Sequence, residues 1–389
     1  MMRPDNKYEG LSASIPIGFT VRRVDDFATL SPGDRDLFDQ AEAASFDLGL
    51  DWFRHLAATA MKPSTETFLY VVSDTTNGKP VAALPIRRDR GEKRLFSLTN
   101  YYTSLYAPLV QSDIAEHALS TLFETMLQKD ACSSIALSPM ASCQPLFAMT
   151  TQSLRKTGWL AFDYFCFGNW FLPVEGQSYD QYFQDLPPRL RNTIQRKSKQ
   201  FFGHAGGRLE IITGGDSIEP AIAAYNKIYH SSWKKPEPFP DFIPGLIRLY
   251  ASKGQLRLGI AYINEEPVAA QIWIVSHGRA AIYKLAYDTN YTNLSVGSIL
   301  TNHLMQHVID VDRVREIDYL IGDEPYKQDW MSHRRERWGI VAYNPRTLRG
   351  MAGAANEISR RAAKTVWSRI GHAFSAWKSV ITKYRQQPR

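Results

Sequence analysis

What most constrains this chain is an internal repeat. In the first half, TFLYVVSD (67–74) reads as a strand and TTNGK as a turn. PVAALPIRR (80–88) is a second strand, DRGEK a turn, and RLFSLTNYY (94–102) a third. The helix-periodic DIAEHALSTLFETMLQKD (113–130) and the strand SSIALSP (133–139) follow. The second half repeats the order: strands LRLGIAYI (256–263), PVAAQIWIV (267–275) and AAIYKLAYD (280–288), helix SVGSILTNHLMQHVIDV (295–311), strand REIDYLIG (315–322). PVAA itself recurs at 80–83 and 267–270. Three strands, a helix and a returning strand make a mostly antiparallel sheet with one crossover to a parallel strand. Two such units predict an α/β (α+β) protein with tandem domains at 15–160 and 161–345, followed by a tail at 346–389. The aromatic strand FDYFCFGNWFLPV opens the second unit, and helices are predicted at 34–44, 49–61, 177–202, 217–233 and 239–252.

Composition narrows the setting. Hydrophobic residues at 44% and charged residues at 22% of 389 describe a folded rather than a disordered chain. A net charge of +7 favours an anionic partner without choosing one. Three cysteines at no metal-binding spacing predict a reducing, cytoplasmic setting. The first residues hold no continuous apolar run, so no signal peptide is expected, and no stretch is long and apolar enough to span a membrane. His303 and His307 lie one helical turn apart, but no glutamate follows the first, so no metal site is expected.

The segments LPPRLRNTIQRKSKQF (186–201), Trp233, VAAQIWIVSHGRAAIYKLAYD (268–288), SVGSIL (295–300) and IDYLIGDEPYKQDW (317–330) carry a resemblance. Together with the element order they resemble the GNAT acyltransferases, present twice, and within them the CelD-type group related to the FemAB peptidoglycan aminoacyl ligases. The resemblance covers roughly residues 15–345. It implies transfer of an acyl group from acetyl-CoA or another acyl-CoA to an amine or hydroxyl, often of a sugar in surface polysaccharide synthesis. It also implies that the cofactor's pyrophosphate rests on the N-terminus of the helix after the third strand of the meander.

Helix N-termini carry partial positive charge and free amide donors. That places the candidate cofactor contacts at Asn293, Ser295, Val296, Gly297 and Ser298, with Ser295 as the helix cap and Asn293 standing in for a side-chain donor. The family loop has two glycines; this chain keeps Gly297 alone. A capped helix packed on its sheet explains the same residues. The first copy has no glycine there and reads as a degenerate unit that shapes the acceptor cleft.

After the last strand, GDEPYK offers ionisable groups at the carboxyl end of a sheet, where ligand crevices form. Acyl transfer needs a base for the acceptor's proton and a cation or donor for the oxyanion. Asp323 or Glu324 is the candidate base, Tyr326 the candidate acid for the leaving thiolate, and Lys327 the candidate oxyanion partner. Acids capping a short helix and pairing with Lys327 are the alternative. On the catalytic reading, Lys327→Ala cuts turnover by roughly a hundredfold and leaves the melting temperature nearly unmoved.

Candidate substrate contacts are Arg189 and Arg196 on the basic helix, Trp233, and Gln271, Lys284 and Tyr287 on the strands. The basic helix reads by default as a solvated face, with anion binding the functional alternative, and Trp233 reads equally as core. In the tail, Trp367, Ile370, Phe374, Trp377, Ile381 and Tyr384 form one helical stripe flanked by basic residues. That stripe suits docking on the protein's own body or on an anionic membrane surface.

The expected protein is a cytoplasmic acyltransferase, peripheral at the inner membrane face, acting on a small-molecule or saccharide acceptor, with no specific nucleic-acid partner. An aminoacyl-tRNA-dependent ligase of the FemAB kind and a non-catalytic binding protein on the same scaffold are the alternatives.

Overall fold

The computed structural model describes residues 18–364, apart from 112–113, 131 and 204–206. The first unit runs β1 (Phe19–Val24), α1 (Pro32–Glu42), α2 (Leu50–Thr59), β2 (Thr65–Asp74), β3 (Pro80–Asp89), β4 (Arg94–Ser97), β5 (Leu109–Val110), α3 (Ala115–Lys129), β6 (Ser134–Ala141) and α4 (Pro145–Lys156). There follow β7 (Leu160–Pro173), α5 (Tyr179–Asp185), α6 (Pro188–Gly203), β8 (Arg208–Ile212), α7 (Ile218–His230) and α8 (Phe242–Ser252). The second meander is β9 (Leu256–Ile263), β10 (Glu266–Ser276) and β11 (Arg279–Tyr287), then α9 (Val296–Gln306), β12 (Glu316–Asp318) and β13 (His333–Tyr343).

The strands join one sheet, ordered β1-β2-β3-β4-β6-β13-β7-β12-β11-β10-β9-β8, with β5 set against β3. Every pairing is antiparallel except β4 with β6 and β11 with β12, the strands that α3 and α9 connect. The repeat therefore appears as read, but its two sheets are fused by exchange. β7, read from the sequence as opening the second unit, follows α4 and occupies in the first repeat the place that β13 has in the second; it pairs with β12 of the second, and β13 pairs with β6 of the first. The two exchanged strands lie side by side from Leu160 with Tyr343 to Phe171 with His333.

Side-chain alternation divides the core between the two faces of this sheet. On β10, Ile272 and Ile274 join the apolar cluster shared with α2, α7 and α8, while Trp273 joins the one beneath α9. A bulge between Ile272 and Trp273 sits at this point.

Local chemistry sets the ends. Ser31 caps α1 in a reciprocal box with Asp34, and Ser178 does the same for α5 with Gln181. The single helix expected over 177–202 is broken, because Leu186, extended at ψ 147°, precedes Pro187 and Pro188. The strand expected over 315–322 is continuous only to Asp318, with a further bridge at Gly322, and the one expected over 94–102 only to Ser97. β1, β8, β13 and α4 were not foreseen. Residues 348–364 form a helix, and the tail's aromatic stripe from Trp367 onward lies outside the described residues.

Candidate active site

β11 and β12 share only three residue pairs, Arg279–Ala281 with Glu316–Asp318. Beyond them β11 continues to Tyr287, whereas the other chain turns away at Leu320, which adopts φ +56°. The Asp318 carboxylate fixes that turn by accepting the Leu320 amide at 2.7 Å. Two parallel strands that part leave a gap, and here it is a cavity of about 220 Å³. Ile282–Leu285 form one wall, and Tyr319–Ile321 with Glu324, Tyr326 and Lys327 the other. Tyr101 and Tyr102 reach in from the first repeat, and Lys234 from the loop after α7.

Of the four proposed catalytic residues, Glu324, Tyr326 and Lys327 therefore meet at this cavity. Asp323 does not. Its carboxylate turns to the outer surface, where it accepts from Trp170 Nε1 at 2.7 Å and pairs with Arg334 at 2.7 Å. The Arg334 hydrogen bond holds it below the usual carboxylate range. A carboxylate held ionised by a guanidinium is a weak base, so Asp323 is withdrawn from the candidate pair. Gly168 permits this arrangement, since a Cβ there would stand 2.6 Å from Asp323 Oδ2.

Lys327 also differs from expectation. It is only 4% exposed, and its ammonium donates to the Ile321 carbonyl and pairs with Glu324 at 2.8 Å. It is thus a buried structural cation as well as a cavity wall, and truncating it costs stability. Gly322, at φ +107°, allows Glu324 to fold back over the turn: an added Cβ would lie 2.4 Å from Glu324 Oε2. The Tyr326 phenol packs edge-on against Tyr319, and burial, aided by Glu324, raises its pKa.

Lys284 lines the cavity as proposed and pairs with Glu237 at 2.7 Å. Glu237 also accepts from Tyr102 Oη at 2.5 Å. Burial would raise the Glu237 carboxyl, but the Lys284 and Tyr102 hydrogen bonds outweigh it and the net shift is downward. Lys234 was missed in the sequence, although it directly follows Trp233 in SSWKKPEPF. Its ammonium has no hydrogen-bond partner among the described residues. Burial, together with repulsion from Lys284, moves it down to about 8.

The other proposed substrate residues separate. Trp233 is 53% exposed and leans on Tyr287, with ring centroids 4.6 Å apart, so it is surface rather than core. Gln271 is buried and fully engaged. It donates to the Gly297 carbonyl at 3.0 Å and Thr301 at 2.7 Å, and accepts from Trp273 at 2.9 Å, fastening α9 to β10. It is a structural residue, not a cavity wall. Arg189 and Arg196 lie on the exposed side of α6, which packs on α9, and neither lines the cavity.

The N-terminus of α9 is open to solvent at Asn293, while Ser295, Gly297 and Ser298 are half-buried and Val296 is buried. Ser295 occupies the cap position in the left-handed region, φ 54°, and makes no side-chain cap bond, contrary to its expected role. A Cβ on Gly297 would stand 3.3 Å from the Tyr287 ring, so the missing side chain first serves that packing. None of Asn293–Ser298 lines the cavity. Tyr287, which meets Gly297, follows the cavity-lining Lys284 by three residues on β11, roughly 10 Å of strand, and the odd spacing sets the two side chains on opposite faces of the sheet. Only an elongated donor, with phosphates at α9 and its reactive end at the lysines, engages both. Among the described residues no cluster of His, Cys, Asp or Glu is placed to hold a metal.

Residues 188–328 match the family model of an acetyltransferase (GNAT) domain. No curated protein sequence matches the chain. Among solved structures, FemX superposes with a TM-score of 0.54 at 9% identity, over 75% of this chain and 90% of that one. A conserved protein of unknown function from Bacteroides thetaiotaomicron gives 0.52 at 12% identity, over 84% and 99%. A C-terminal domain assigned to a lysylphosphatidylglycerol synthetase of Agrobacterium fabrum gives 0.51 at 10% identity, over 82% and 93%. At these identities the likeness is one of fold, and it spans both repeats. The family match runs from α6 to the GDEPYK turn, and the likeness of fold to these structures extends beyond it over the first repeat.

Proposed function

We propose that the protein is an acyltransferase that moves an acyl group from acyl-CoA to an amine or hydroxyl, with the reaction in the cavity between β11 and β12. The acceptor class we favour is an amino sugar or a lipid-linked saccharide of surface polysaccharide synthesis. The observation that carries this reading is the convergence of Lys234, Lys284, Lys327 and Glu324 on a gap opened by two parting strands. About 10 Å along β11, on the other face of the sheet, lies a helix N-terminus suited to phosphate.

The chemistry follows from the groups. An ammonium titrating near 8 is partly neutral at working pH, which suits a general base. Lys234 takes the proton as the acceptor nitrogen or oxygen bonds to the thioester carbon. Lys327, held by Ile321 and Glu324, balances the charge that develops on the carbonyl oxygen. Tyr326 stays protonated across this range and donates a hydrogen bond to the sulfur as the carbon–sulfur bond breaks. A second reading, with aminoacyl-tRNA as donor, is favoured by the exposed basic side of α6 next to α9.

Calorimetric titration with acetyl-CoA, octanoyl-CoA and a charged tRNA separates the two. Saturable binding of an acyl-CoA, retained in Lys234→Met while turnover is lost, is the expected result. Binding of charged tRNA alone would replace the donor, and binding of none of the three would end the enzymatic reading. A cytoplasmic, membrane-peripheral location remains part of this proposal; among the described residues no helix is long and apolar enough to cross a membrane.

A further inference from the structure

A second and larger cavity, about 700 Å³, lies at the seam between the two repeats. Most of its wall is apolar, including Leu37, Phe46, Leu105, Met140, Phe147 and Ile274. At one end stands a group of charged side chains brought together by the strand exchange. Arg335 pairs with Glu316 at 2.9 Å and with Asp318, and Asn169 donates to Asp318. The Asn169 amide oxygen accepts from Arg335 Nε at 2.7 Å and from Arg337 Nη2 at 3.0 Å. The two carboxylates are thereby matched by Arg335.

Arg337 is left over. It is 6% exposed, lines the cavity, and has Asn169 as its sole hydrogen-bond partner among the described residues. Among the described residues its Nε has no partner, and no carboxylate forms an ion pair with it. Asp47, the next buried acid, is engaged by Ser45, Ser104 and the Leu105 amide. Arg279, at the cavity wall, adds a third guanidinium. Three guanidiniums and three carboxylates line the cavity, but Lys253 holds Glu42, and Arg279 and Arg335 share Glu316, so Arg337 is the one guanidinium there without an ion pair among the described residues. A guanidinium cannot shed its proton to escape burial, and an unpaired buried charge is among the most unfavourable groups a fold can hold. Burial and the neighbouring Arg335 charge both work against its charged state. A cavity of this size, mostly apolar with an unpaired guanidinium in its wall, has the form of a small-molecule site.

We propose that the seam cavity binds an amphipathic anion, a single carboxylate or phosphate head on an apolar body, with the head on Arg337. Arginine offers the paired, planar donors that either oxyanion accepts. Leu320 belongs to the walls of both cavities, so an occupant would lie beside the lysine site. The inference does not rest on the acyl-transfer reading, and its test needs no acyl donor.

The test is calorimetric titration of the full chain with decanoate, decyl phosphate, decanol and inorganic phosphate, below micelle-forming concentrations. Decanoate or decyl phosphate should bind saturably at one site, roughly tenfold or more tighter than decanol, as a charge-assisted contact implies. Which head binds more tightly identifies the source, carboxylate or phosphate. In Arg337→Gln that preference should fall to nearly one. In Leu146→Trp, which fills the apolar wall without touching Arg337, binding of the preferred anion should be lost while the melting temperature holds. Equal binding of decanol and both anions to the natural chain would overturn the proposal. So would binding unchanged in either variant, or no saturable binding by either amphipathic anion.

Discussion

Replacing Lys234 by methionine should make the protein more stable while removing its activity. The ammonium lies in a cavity wall without a hydrogen bond, facing Lys284 and Lys327, and its pKa falls from 10.5 to about 8. At about 1.4 kcal/mol per pH unit, holding this group charged in the folded state costs roughly 3 kcal/mol. The sign follows from the direction. A lysine whose folded pKa is lowered destabilises fully below about pH 8, where both states carry the proton. The penalty fades as pH rises from 8 toward 10.5, above which both states are neutral. Methionine keeps the aliphatic stem and removes the charge. Thermal melting of both proteins at pH 7 and pH 10.5 reads the effect, since every other titrating group is common to the two. The variant should melt several degrees higher at pH 7, and the difference should shrink to nearly nothing at pH 10.5. A variant no more stable at pH 7, or one with the same gain at both pH values, would refute the argument. Turnover of the natural chain should rise tenfold per pH unit below about 8 and level off above it.

Lys327→Ala should now do two things at once. Turnover falls by roughly a hundredfold from the lost oxyanion partner, and stability falls by about 2–3 kcal/mol because a buried, charge-assisted hydrogen bond to Ile321 goes with it. Thermal melting beside a steady-state assay checks both; an unmoved melting point would return Lys327 to the surface pair first expected. Asp323→Asn should leave turnover within a few-fold, because its carboxylate faces Trp170 and Arg334 rather than the cavity. Its folded pKa is lowered, so its stabilising contribution is present above the ordinary carboxylate value and is lost as pH falls through the folded one. The pair is partly exposed, which keeps that contribution under about 1 kcal/mol, visible as a small loss of melting temperature at pH 7 that closes in acid.

The repeat was legible because each strand of the meander carries its own pattern: LRLGIAYI became β9 without a residue's change. β13 was not, because its first half, HRRER, reads as a solvated charge run. It is a central strand because partners from three other segments meet those charges: Asp323 for Arg334, Glu316 and Asp318 for Arg335, and Asn169 for Arg337. Such long-range pairing leaves no local mark. The same limit explains the site. The GDEPYK turn announced its ionisable groups, but its direction depends on Gly322 bridging to Asn169 and on Leu320 entering the left-handed region. Those features send Asp323 outward and Glu324 inward. Lys234 carries its signal only beside Trp233, and its importance comes from which lysines the fold sets opposite it.

The exchange of strands also changes what the first repeat is for. A degenerate copy that only walled a cleft could be replaced by any packing surface. Here Tyr102, from the first repeat, donates to Glu237, and Glu237 in turn holds Lys284 on β11. Tyr283 donates back to the Tyr102 carbonyl at 3.1 Å. Tyr102 itself is clamped by stacking on Phe242 of α8, with centroids 3.9 Å apart. The charge balance of the lysine cavity is therefore set by a side chain more than a hundred residues before the matched domain's meander begins. With β7 and β13 exchanged as well, the first repeat completes both the sheet and the electrostatics of the second. That is a physical reason for the two repeats to be kept in tandem.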